Sequence, residues 1–210
     1  MRVAVLGESP ADEAAIRILT QAILGREVTR IDGPLLRARG WPAARNVLPT
    51  VLKHLHYRTD AELLVVAVDC NSSPVHHSKG DGCRACELLG IAETTLQSLA
   101  PRHDGSTLRF AAGLAVPAIE AWYECGVNPA VSEAAWIQGI NSGRAPYTKN
   151  ELKELVYGTD RPNLTIESLR AAESATRLAA DLGPLMTFFP RGFGMLAAAV
   201  AALGVQAQPC

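Results

Sequence analysis

The chain lacks a long hydrophobic run, a surplus of either charge and an evenly spaced set of cysteines, and each lack removes a class of protein. No segment reaches the ~18 continuous apolar residues of a helical membrane span. The start, Met1 to Gly7, turns polar at once, without the longer apolar core and cleavage site of a signal peptide. A formal net charge of −1 excludes a global basic field for non-specific nucleic-acid binding, so any such surface has to be a local patch. The 5 cysteines, at positions 70, 83, 86, 125 and 210, are odd in number and form no disulfide framework. Reduced thiols and a soluble, cytoplasmic protein are the expectation. No internal repeat and no linker interrupts the sequence.

What is there is an ordinary globular composition, 48% hydrophobic and 20% charged. At 210 residues one domain is expected, with about 70% of its surface buried. Residues 3–7 form a short apolar run that reads as a buried strand. The helix after it opens with Ser9 as N-cap, Pro10 in the first turn and Asp12 and Glu13 where the dipole favours acid, and it stops at Gly25. A weak strand at 28–31 precedes a helix from Pro42 that buries Val47, Leu48, Val51, Leu52 and Leu55. Residues 63–68 are apolar at every position, the pattern of a central strand covered on both faces. A helix over 83–99 and a strand over 108–114 follow. From Pro117 onward the pattern is mainly helical. Thr148 and Glu151 make a capping box, Gly158 a stop, Thr165 a cap for a helix ending at Gly183, and residues 195–203 a last helix.

The order strand, helix, strand, helix, strand predicts an α/β fold: a largely parallel sheet flanked by helices, with a mainly helical C-terminal region over 126–210. In such sheets ligands bind beyond the carboxyl ends of the strands. Glu8 and Asp69 both stand there. Asp69 is followed by Cys70 and Asn71, and a third segment of interest runs Val116-Pro117-Ala118-Ile119-Glu120-Ala121-Trp122.

The segment Gly7-Glu8-Ser9-Pro10-Ala11-Asp12-Glu13 resembles the first motif of Toprim domains, in which a glutamate ends the first strand and a Gly/Pro-containing turn starts the next helix. Asp69-Cys70-Asn71 resembles their Asp-x-Asp, and residues 117–122 resemble the Pro-x-x-Glu-Ala-Trp signature of the Toprim-related domain-of-unknown-function family 4276. The resemblance covers residues 1–125. It implies a Toprim-like core that binds Mg²⁺ or Mn²⁺ and performs phosphodiester chemistry, as a nuclease acting alone or beside an ATPase partner in a defence-type system. It also implies Glu8 and Asp69 as catalytic residues, with Asp69, Asn71, Glu8 and Glu120 around the metal. Mg²⁺ is a hard ion that needs only a few carboxylate oxygens besides water and phosphate, so these residue types suit it. Asn71 departs from the family pattern: where the motif has a second aspartate it offers a carbonyl oxygen without charge. A non-catalytic metal- or nucleic-acid-binding module with a degenerate site is the alternative, and a small-molecule-binding domain with an unrelated site is a third.

Two further groups carry chemistry. The loop after Asp69 holds His76, His77, Cys83 and Cys86, and Cys83-x-x-Cys86 with either histidine could supply a tetrahedral zinc site. There is no second half-site, and a polar loop whose cysteines face the core of the next helix is the competing reading. Arg37, Arg39 and Arg45, with Arg26 and Arg30, could line the rim of the acidic site and bind a phosphate backbone. Lys149 and Lys153 belong to a second basic stretch, and Arg191 sits in a turn before the last helix.

Overall fold

A computed structural model describes residues 1–34, 40–77 and 82–205. Four parallel strands form one sheet: β1 (Arg2–Leu6), β2 (Thr29–Arg30), β3 (Leu63–Asp69) and β4 (Arg109–Ala115), in the order β2-β1-β3-β4. The chain leaves β1 for β2 on one side and then returns past β1 to β3. Right-handed crossovers therefore place α1 (Pro10–Leu24) and α2 (Trp41–Arg58) on opposite faces. α3 (Arg84–Gln97) joins α2. Every residue of β3 is buried, as its unbroken apolar run predicts.

The ends of these elements follow local chemistry. Ser9 Oγ accepts from Asp12 N–H at 3.1 Å, Gly25 ends α1 at φ 60°, and Thr148 and Glu151 close the reciprocal box predicted for them. Among the described residues the second half is helical: α4 (Ile119–Tyr123), α5 (Glu133–Asn141), α6 (Lys149–Tyr157), α7 (Leu164–Ala179), α8 (Gly183–Phe188), a π-helical turn at Pro190–Gly194, and α9 (Met195–Val205). Here the sequence reading needs two corrections. Asn163, a stronger cap than Thr165, caps α7 by accepting from Ile166 N–H at 3.0 Å. The helix also stops at Ala179, and Gly183 opens α8 instead.

These helices pack back on the sheet. α7 lies along α1, and α9 covers β4 so closely that a Cβ on Gly113 would come within 2.9 Å of the Leu196 side chain. Trp122 is fully buried edge-on to Phe193, with ring centroids 5.3 Å apart, and so serves the core. Among the described residues no helix is long and apolar enough to cross a membrane.

Candidate functional site

The strand order reverses between β1 and β3, and the crevice beyond their carboxyl ends is where doubly wound sheets take ligands. Glu8 enters it from the turn after β1. A Cβ at Gly7 would lie 2.9 Å from Asp12 Cβ and 3.1 Å from Glu13 N, so the missing side chain lets that turn pack against the first turn of α1. Asp69 enters from the last position of β3. The two are joined: Asp69 N–H donates to Glu8 Oε1 at 2.9 Å.

The third segment closes on the second. Asp69 Oδ1 accepts from Ile119 N–H at 3.0 Å, Asn71 N–H donates to the Pro117 carbonyl at 2.8 Å, and Cys70 N–H donates to the Ala115 carbonyl at 2.7 Å. Asn71 has φ 47°, the left-handed region that Asn enters more easily than most residues. Its identity thus has a backbone reason as well as any role toward a ligand. Glu120 follows in α4. It is buried, and its Oε2 has no hydrogen-bond partner. Burial first, and the Asp69 charge second, push its carboxyl up to about 7. The same two causes raise Glu8, and they raise Asp12 well above the usual carboxylate range, with Glu120 adding to the effect there.

Two cations balance this acid. Lys149 Nζ donates to Asp69 Oδ2; burial is the largest single influence and would lower its pKa, but Asp69, Glu120 and Glu8 together outweigh it and the net direction is up. Arg84 donates to the Asp69 carbonyl at 2.7 Å, stands 3.9 Å from Glu8 Oε1, and lies over the Trp41 ring with 5.0 Å to the centroid. Sequence reading grouped Lys149 with a basic stretch and passed over Arg84. A signal for both exists: each is the first residue of a helix, where the dipole disfavours a positive charge, so each calls for an acid outside its own helix. The N-terminus of α2 is the remaining wall. Gly40 N–H donates to the Glu8 carbonyl at 3.4 Å, and that helix has no side-chain cap.

The residue types suit a hard divalent ion, with Glu8 and Asp69 joined at the crevice and a buried, unpartnered Glu120 oxygen that feels the Asp69 charge, but the three carboxylates do not bring their oxygens within 4.8 Å of one another. For Asp69 to give both oxygens to an ion, Lys149 has to swing away.

The loop after β3 carries a second cluster. His76 Nδ1 lies 3.4 Å from Cys83 Sγ and 3.2 Å from Cys86 Sγ, and all three ligand atoms fall within 4.8 Å of one another, so the group could hold a metal ion. Among the described residues it is the one His, Cys, Asp and Glu group of three that meets this spacing. Cys83 caps α3, accepting from Cys86 N–H at 3.4 Å, and its thiol is pushed up to about 11 by burial. His77, the other predicted ligand, is exposed and outside the group.

Of the predicted phosphate-binding arginines, Arg37 and Arg39 lie outside the described residues. Arg45 is exposed on α2 and paired with Glu87 of α3. The turn at Arg191 is spoken for: Glu133 accepts from Arg191 N–H at 3.0 Å and Gly192 N–H at 2.8 Å, the amides an anion would need.

No family model, curated protein or solved structure matches the chain.

Proposed function

We propose that the chain is a Toprim-like, divalent-metal-dependent phosphodiesterase, specifically a nuclease, working at the crevice between β1 and β3. The observation that carries the reading is the union of hard oxygen donors with phosphate-type donors at one strand edge. Glu8, Asp69 and the unpartnered Glu120 oxygen are joined there by Lys149, Arg84 and the uncapped start of α2. Mg²⁺ or Mn²⁺ would be held by Asp69 and Glu8, with Glu120 and Asn71 adjoining, and would polarise a phosphoryl oxygen and stabilise the leaving oxygen.

The residues of the chain supply the rest. Lys149, once off Asp69, and Arg84 neutralise the phosphate charge. Glu8, raised by burial and by Asp69, holds or accepts a proton nearer neutral pH than an exposed glutamate does. A partner ATPase in a defence-type system belongs to the same proposal and rests on the motif resemblance.

One observation favours a second reading, a non-catalytic nucleic-acid-binding or regulatory module. The Lys149–Asp69 ion pair and the uncharged Asn71 leave the site compensated without any metal. The test is cleavage of single- and double-stranded DNA and RNA with Mg²⁺ or Mn²⁺, comparing the native chain with Asp69→Asn and Glu8→Gln. Metal-dependent cleavage lost in both variants supports the enzyme; no cleavage by the native chain on any substrate supports the module. An ion at His76, Cys83 and Cys86 would belong to a different chemical class, and we propose zinc for it, since thiolate and imidazole donors suit that ion rather than Mg²⁺.

A further inference from the structure

The two clusters sit at opposite ends of one connection. Asp69 ends β3, and the chain reaches Arg84 directly after Cys83, the residue that caps α3. Arg84 reaches both partners of the acidic pair, through the Asp69 carbonyl and Glu8 Oε1. Whatever fixes the first turn of α3 therefore fixes that guanidinium. Within the first turn, the N–H of Cys86 points at Cys83 Sγ, and a helix N-terminus favours the anionic sulfur that metal ligation requires. The outer side of the group borders an apolar cavity of about 640 Å³, lined by Leu89, Leu96, Phe110 and Met195 beside His76 and Cys86.

We infer that a zinc-class ion on His76, Cys83 and Cys86 is a clamp, tying the chain at His76 to the first turn of α3 and so holding Arg84 on Asp69 and Glu8. Each thiol gives its proton to solvent as it ligates, and coordination takes the place of the contacts from His76 Nδ1 to the two sulfurs. The clamp and its effect on Arg84 stand on the geometry; only its effect on cleavage rests on the phosphodiesterase reading.

The experiment has three readouts on the full-length protein. Metal analysis of protein expressed in zinc-supplemented medium and dialysed against buffer is expected to give one equivalent per chain. Replacement by Co²⁺ is expected to give the thiolate charge-transfer and tetrahedral ligand-field bands. Cys83→Ser, Cys86→Ser and His76→Ala each lose the bands, His77→Ala and Cys125→Ser keep them, and His76→Cys, which supplies a third thiolate, keeps binding even if the serine variants fold poorly. Hydrogen exchange then separates a clamp from a remote site: chelation is expected to speed exchange about 10-fold or more at the amides of 69–71 and 84–88, while those of α7 stay unchanged. Arg84→Ala keeps the metal and the Co²⁺ bands but raises exchange at Asp69. Absence of retained metal, or Co²⁺ bands indifferent to Cys83→Ser, overturns the site. Retained metal whose removal leaves exchange at 69–71 unchanged overturns the clamp. Failure of cleavage in every form, with these readouts as expected, overturns the phosphodiesterase reading alone.

Discussion

The acidic crevice and the His/Cys group share the stretch from Asp69 to Cys86, yet they solve the problem of charge in opposite ways. At the crevice, carboxylates gather around Asp69 and are compensated by protein cations, Lys149 from α6 and Arg84 from α3. At the loop, a histidine and two cysteines hold their ligand atoms within 4.8 Å of one another, and an ion is a natural counter-charge once the thiols ionise. A hard ion at the crevice has to compete with an ammonium already in place, whereas a zinc-class ion at the loop displaces thiol protons and the contacts from His76 to the sulfurs. The difference predicts weak, exchangeable binding at the first and tight binding at the second.

The most disruptive way to break that comparison is Asp69→Ala. It removes the acceptor for Ile119 N–H and the partner of Lys149 together, so a stability loss of about 1–3 kcal/mol is expected in denaturant titration. Mg²⁺-dependent cleavage should fall about 100-fold or more, while zinc at the loop stays at one equivalent. Loss of zinc in the same variant would show that the two sites are one folding unit.

A subtler break is electrostatic. The Glu120 carboxyl, pushed up to about 7 in the folded protein from an ordinary value of 4.5, keeps its proton over a window in which the unfolded chain has released it. The native state binds more protons there, so stability of the metal-free protein falls as pH rises through that window, by at most about 3 kcal/mol. Glu120→Gln should flatten the slope measured by urea melts between pH 4.5 and 7. Glu8 and Asp12, raised for the same reasons, keep a residue of it with the same sign. An unchanged slope would mean that Glu120 ionises normally.

The smallest expected effect is Asn71→Asp. The left-handed backbone at φ 47° tolerates either residue, so stability should move by about 0.5 kcal/mol or less, while the added carboxylate should tighten Mg²⁺ several-fold in calorimetry. Binding that does not respond places the ion away from this turn.

These contrasts also show what sequence could and could not disclose. The strands, their parallel pairing and the caps at Ser9, Gly25, Thr148 and Gly158 were legible because each is written in short local patterns of residues. The placement of Glu8 and Asp69 was legible as well, since a strand end at a sheet edge is a local position with a fixed meaning. Lys149 reaching Asp69 was not, because it depends on how α6 folds over the crevice from 80 residues away. The choice of His76 over His77 was closed to pattern reading too: adjacent residues point in different directions, and only the path of the loop selects one. At α7 the sequence reading named Thr165 as the cap, and the structure uses Asn163, the stronger acceptor two residues earlier.

The central claim, that Asp69 anchors a hard cation with which Lys149 competes, is tested most directly by Mn²⁺ binding. Electron paramagnetic resonance should follow the titration in zinc-loaded native protein, Asp69→Asn and Lys149→Ala. The account predicts one Mn²⁺ per chain in the native protein, no measurable binding in Asp69→Asn, and about 10-fold tighter binding in Lys149→Ala, where the ammonium no longer holds Asp69 Oδ2. Binding that is absent from all three, or that is the same in Asp69→Asn as in the native chain, would contradict it.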